Sequence, residues 1–150
     1  MSKPQAERQE FVLASTMDSV RLAEAAAEKL AVQAGFDKEQ CDNIAIAVRE
    51  AALNAVHHGN EYNSEKRISV CLEKTGTRLI FTITDQGCGF DPDALPDPLA
   101  PENLLRVCGR GVFLIRTFMD ELHFRDLHPG TELTLVKMLP TASDAPDLLG

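Results

Sequence analysis

A glutamate and an asparagine stand one helical turn apart in the run Glu50-Ala51-Ala52-Leu53-Asn54-Ala55-Val56-His57-His58-Gly59. The side-chain carbonyl of asparagine is a neutral, hard oxygen. Mg²⁺ takes such ligands while it keeps several waters and bridges phosphates. Further along, Asp85 stands where an apolar strand run ends and Gln86-Gly87-Cys88-Gly89 begins. A carboxylate at the floor of a pocket can accept a hydrogen bond from the exocyclic amine of adenine, which guanine does not offer at that position. Gly87 and Gly89 let the backbone turn sharply and approach a nucleotide without a side-chain clash. Gly109-Arg110-Gly111 directly precedes Val112-Phe113-Leu114-Ile115. Free N–H groups at a helix start form an anion site, and Arg110 adds a fixed positive charge able to grip phosphate oxygens. Taken singly, these motifs have plainer readings. Glu50 and Asn54 could lie on a solvated polar face, and Asp-x-Gly-x-Gly could be a turn after a strand or part of a calcium loop. No further acidic ligands follow Asp85 at calcium-loop spacing, which counts against the last of these.

The elements that must position these residues follow from periodicity and punctuation. Residues 9–14 read as a short strand, after which Ser15 or Thr16 can cap a helix from about Asp18 to Ala34 with Val20, Ala23, Ala27 and Leu30 as its apolar stripe. Gly35 ends it. Asp37, with Gln40 three residues on, opens a second helix that runs to about His58. On that helix Ile44, Val48, Ala52 and Ala55 share one stripe. Asn43, Glu50, Asn54 and His57 lie nearly opposite, on a face expected to stay out of the core. Alternation at Ile68, Val70, Leu72 and again at Leu79, Phe81, Ile83 gives a hairpin turning at 74–77. Residues 91–108 carry Pro92, Pro96, Pro98 and Pro101 and read as a mobile loop. A third helix is expected from about Val112 to Glu121. Strands near His123–Asp126 and Glu132–Leu139, joined at Pro129-Gly130, complete the pattern. Strands and helices segregated in this way predict an α+β fold, a two-layer α/β sandwich with a mostly antiparallel sheet and helices on one face.

Composition bounds the function. Hydrophobic residues make up 44% and charged residues 25% of the 150, as in a folded globular domain. The chain has 15 basic and 23 acidic residues for a net charge of -8, without a Lys/Arg run, which disfavours direct nucleic-acid binding. Neither a signal-peptide core nor a membrane-length apolar run is present, so a cytoplasmic protein is expected. Cys41, Cys71, Cys88 and Cys108 are scattered without CxxC spacing and read as reduced thiols. His57, His58, His123 and His128 lack ligands at metal spacing and read as solvated or capping residues. Cys88 reads as a small residue tolerated in a tight loop.

The order and spacing of the Glu50–Gly59, Asp85–Phe90 and Gly109–Gly111 runs resemble the N, G1 and G2 boxes of the GHKL (Bergerat-fold) ATPase and kinase superfamily. The resemblance extends over roughly residues 9–139, with 1–8 as an N-terminal extension and 140–150 as a flexible tail. Size and motif wording look most like the bacterial anti-sigma-factor serine/threonine kinases. The resemblance implies ATP and Mg²⁺ as cofactors, with Asn54 holding the metal and Glu50 as general base toward a substrate Ser or Thr. It makes Asp85 the adenine-reading residue and places Gly87, Gly89, Gly109, Arg110 and Gly111 around the nucleotide. Arg110 would also offset charge during transfer, and about 91–111 would form the ATP lid. Gly130-Thr131 resembles a further box, in which the Thr131 hydroxyl supports adenine through water. The implied partners are a sigma factor, a small anti-anti-sigma phosphoacceptor and a second copy in a homodimer, with no membrane. A nucleotide-dependent binding module without kinase activity is the alternative. A sensor histidine kinase would need a helical dimerisation segment for which this length is not expected to leave room.

Overall fold

The computed structural model describes residues 7–61, 63–87, 110–127 and 129–140. Strand β1 (Glu7–Ala14) leads into helices α1 (Met17–Gln33) and α2 (Lys38–Asn54), and a π-helical turn (Ala55–Gly59) extends α2. The hairpin of β2 (Arg67–Lys74) and β3 (Arg78–Thr84) follows. Helix α3 (Arg110–Phe118) and the hairpin of β4 (Glu121–Asp126) and β5 (Thr131–Met138) complete the described chain. One sheet runs β1-β2-β3-β5-β4, and each neighbouring pair is antiparallel. The α+β sandwich expected from the sequence is the fold observed.

Register explains the core. Phe11, Val70, Ile83, Leu133 and Phe124 stand side by side across the sheet, and Leu72, Phe81, Leu135 and Leu122 form the next row. Successive side chains of a strand point to opposite faces, so these rows share one surface. Val20, Ala23, Ala27 and Leu30 of α1 join the same core, as do Ile44, Ala47, Val48, Ala51 and Ala52 of α2. Alanine at so many of these positions shortens the side chains at the α1–α2 contact and lets the helices approach closely.

Boundaries follow local hydrogen bonding. Thr16, rather than Ser15, caps α1 by accepting the Ser19 N–H at 3.3 Å. Ser15 is buried and donates to the Lys66 carbonyl at 2.8 Å. Past α1, Gly35 has φ +95°, a left-handed position suited to glycine. Asp37 caps α2 through the Gln40 N–H at 2.8 Å. β1 begins at Glu7, two residues before the expected start, because Glu7 and Arg8 still pair with Lys74 and Glu73.

Two elements differ more substantially from expectation. The second helix was expected to stay α-helical to about His58, but it changes to a π turn after Asn54, closed by the Asn60 N–H on the Ala55 carbonyl at 2.8 Å. The third helix was expected at 112–121 and occupies Arg110–Phe118 instead. Asp120 already belongs to the sheet: its N–H donates to the Val136 carbonyl at 2.8 Å and its carboxylate accepts the Met138 N–H at 2.7 Å. Those bonds to β5 end the helix early. Of the lid expected at about 91–111, residues 91–109 lie outside the described residues and Arg110 and Gly111 belong to α3; of the tail expected at 140–150, residues 141–150 lie outside them. Among the described residues no helix is long and apolar enough to cross a membrane.

Phe81 is fully buried at the centre of the sheet. Phe81→Ala should lower unfolding stability by about 3–5 kcal/mol, the usual cost of an aromatic-to-alanine cavity. Urea unfolding followed by circular dichroism measures this directly.

Candidate functional site

Helix α2 serves two faces at once. Its apolar stripe enters the core as expected, with Ile44, Val48, Ala52 and Ala55 all buried. The opposite stripe was expected to stay out of the interior, and here the structure corrects the reading. Asn54 is only 8% exposed, while His57, farther along, is exposed. The cause is α3, which packs against α2 and brings Gly111 over the Glu50–Asn54 turn. A β-carbon at position 111 would lie 3.1 Å from Glu50 Oε1 and 3.5 Å from Asn54 Oδ1. Only glycine leaves that space open. Two of the three motifs, far apart in sequence, therefore meet at the start of α3.

Asp85 follows the last residue of β3 and is 7% exposed. Its carboxylate accepts the Gly87 N–H at 2.9 Å, so the turn after the strand is closed by the side chain that it displays. Burial pushes the Asp85 carboxyl above the usual carboxylate range, opposed by backbone hydrogen bonds from Gly87 and Thr131 and by the nearby Lys66 charge. Thr131, the first residue of β5, also accepts the Asp85 N–H at its carbonyl at 2.9 Å. The preceding Gly130 has φ +97°, and a β-carbon there would collide with the Asp85 carbonyl oxygen. Asp85, Gly87 and Thr131 are thus brought together. Arg110 opens α3, and Gly89 and Gly109 lie outside the described residues.

Sequence reasoning missed Asn60. This residue is 1% exposed and ends the π turn. Its Oδ1 accepts the Gln86 N–H at 2.8 Å, and its Nδ2 donates to Ser15 Oγ at 2.8 Å and the Arg67 carbonyl at 2.9 Å. Gln86 returns a second tie, its Oε1 accepting the Arg67 N–H at 2.6 Å. The available signal was a polar residue directly after a histidine-glycine helix end, which is a common turn composition.

The residues present fit a magnesium nucleotide on two structural counts. Among the described residues the Asn54 amide nitrogen is buried without a hydrogen-bond partner, which leaves a donor for a water or a bound group. The Gly111 gap leaves the Glu50 and Asn54 oxygens facing space that a side chain would fill. Asn54 would hold the ion, and a hard oxygen suits it.

A carboxylate with a raised pKa stabilises the fold at low pH, and that contribution is lost as pH rises through the folded-state value. Asp85→Asn keeps an acceptor for Gly87 without the charge. Its stability relative to the wild type should therefore increase as pH rises from about 4 toward 7. Thermal melts of both proteins across that range give the comparison, and parallel curves would remove the strain assigned to the Asp85 charge.

Comparison with known proteins identifies the family. Residues 13–137 match the family model of the histidine kinase-like ATPase domain. The serine-protein kinase RsbW of Staphylococcus epidermidis is 39% identical over 97 residues, 60% of this chain and 61% of that protein. The chain thus spans about three fifths of the length of that relative. RsbW of Halalkalibacterium halodurans is 32% identical over 116 residues, 73% of this chain and 70% of that protein. The solved structure of the RsbU and RsbW domains of Rv1364c from Mycobacterium tuberculosis superposes with a TM-score of 0.64 at 20% identity, covering 89% of this chain and 32% of that one. That likeness concerns the fold. Family model and sequence relatives agree: the chain belongs to the histidine kinase-like ATPase domains of the GHKL superfamily, in the family of the serine-protein kinases RsbW.

Proposed function

We propose that the protein is an anti-sigma-factor-type serine/threonine kinase. It binds Mg-ATP, phosphorylates a small anti-anti-sigma protein and sequesters a sigma factor by partner switching, as a homodimer in the cytoplasm. The observation that carries this reading is the convergence of Glu50 and Asn54 on Gly111 at the start of α3. It sets a carboxylate beside a metal-suited oxygen at a helix N-terminus, where phosphate oxygens are favoured. The RsbW relatives, named serine-protein kinases, support the same activity.

Roles follow from chemistry. Asp85 receives the adenine amine, and the Asp85–Gly87 turn gives the base a backbone-lined edge. Asn54 would hold a magnesium ion, whose charge would offset that of the phosphates. Glu50 accepts the proton of a substrate Ser or Thr hydroxyl as that oxygen forms its bond to the γ-phosphorus. The bond from the γ-phosphorus to the bridging oxygen breaks, and its electron pair leaves with ADP. Arg110 is assigned to the developing charge at the phosphoryl group.

Asp85→Leu should weaken ATP by about 1–3 kcal/mol, on the order of tenfold to a hundredfold, because the adenine amine is left unpaired in a buried site. Titration calorimetry reads this, and unchanged affinity would remove Asp85 from the site. Glu50→Ala should keep ATP affinity and lose transfer by about a hundredfold or more. The assay is single-turnover transfer from γ-labelled Mg-ATP to a captured phosphoacceptor protein. Normal transfer by the variant excludes Glu50 as the base. ATP binding without labelling by the wild type would instead favour a nucleotide-gated binding module.

A further inference from the structure

Two ends of the proposed nucleotide are met by elements with separate origins in the chain. Glu50 and Asn54 belong to the last turns of α2, whereas Asp85 belongs to the loop leaving β3. One ligand can engage both only if that loop keeps a fixed height and orientation relative to α2. Asn60 makes this link directly. It sits at the end of the π turn that continues α2, and its Oδ1 accepts the Gln86 N–H, one residue after Asp85, at 2.8 Å. Its Nδ2 bonds to Ser15 Oγ and the Arg67 carbonyl fix the amide plane, so Oδ1 has no freedom to turn away. Gln86 is exposed at its side chain, yet its Oε1 accepts the Arg67 N–H, giving the loop a second anchor on the same β2 residue.

We infer that Asn60 is a positioning residue of the nucleotide site, holding the Asp85–Gly87 loop in register with the end of α2 so that adenine and phosphates are engaged together. This rests on the ATP reading above. Asn60 itself touches neither reacting atoms nor, by its burial, a ligand; it acts through Gln86. Its hydrogen bonds have distinguishable duties. The bond to Ser15 ties the start of α1 to the π turn and has no route to the adenine loop except through Asn60. The bond to Gln86 reaches that loop directly.

The test compares Asn60→Ala, Ser15→Ala and wild type by calorimetry with Mg-ATP, Mg-GTP and magnesium tripolyphosphate, after melting curves show each protein folded at the working temperature. Asn60→Ala should lose about tenfold or more in ATP affinity and narrow the ATP-over-GTP preference, while its tripolyphosphate affinity stays within about threefold. Ser15→Ala should lower the melting temperature yet keep ATP affinity within about threefold. If Asn60→Ala does not fold, Gln86→Ala, at an exposed side chain, removes the second anchor and should weaken ATP several-fold without affecting tripolyphosphate. Equal losses for all three ligands, or ATP affinities that track melting temperature across the variants, would show a purely structural role and overturn the inference. ATP affinity unchanged in the folded variant does the same. A wild type that binds no ATP at all overturns the nucleotide reading itself, a separate failure.

Discussion

A carboxylate taken out of water at the end of β3 sets the terms for the surrounding structure. Asp85 is buried, and burial alone would favour its neutral form. The fold opposes that tendency with backbone donors. Gly87 N–H meets the side chain, Thr131 contributes another, and Lys66 adds a positive field. Each requirement constrains a different element. The turn after β3 must be tight enough for Gly87 to reach back, β5 must begin where Thr131 can pair with Asp85, and position 130 must lack a side chain. A buried carboxylate held by backbone donors at the mouth of a turn is also placed where it can accept a further hydrogen bond.

Helix α2 organises the other half. One stripe of it closes the core over the sheet, and the opposite stripe meets α3 at a glycine. Placing the site on a helix gripped from both sides fixes Glu50 and Asn54 more tightly than a loop could. The Asn54 amide nitrogen, without a partner among the described residues, is the counterpart of the buried Asp85 carboxylate: a polar group withdrawn from water with bonding capacity to spare. The two lie on different elements, and Asn60 joins those elements through backbone and amide groups that need no water.

Much of this was legible in the sequence because it is local. Period 3.6 on 38–54 put Glu50 and Asn54 on one face, period 2 on 67–84 gave the hairpin, and the position of Asp85 at a strand end followed from where alternation stops. The choice of Thr16 over Ser15 as a cap was not legible, since Ser15 is claimed by Lys66, distant in the chain. The early end of α3 escaped for the same reason: Asp120 is claimed by β5. Helical periodicity sees one helix at a time, so it left Asn54 on an open face that α3 in fact covers. Asn60 was illegible because the groups that its side chain meets, on Ser15, Arg67 and Gln86, come from separate segments, and a polar residue after a helix carries no such information.

The π turn between Asn54 and Asn60 makes chain length, more than composition, the constrained property of residues 55–59. A π turn carries an extra residue relative to an α turn, and each residue of a helix rotates the next by about 100°. Deleting one residue there would hardly shorten the molecule. It would turn the wide turn into an ordinary α turn, leaving the core stripe of α2 in place but changing which residue stands where the Asn60 amide meets Ser15, Arg67 and Gln86. Substitutions in this segment therefore alter single contacts, whereas a change of one in its length alters which residue ties the end of α2 to the loop after Asp85.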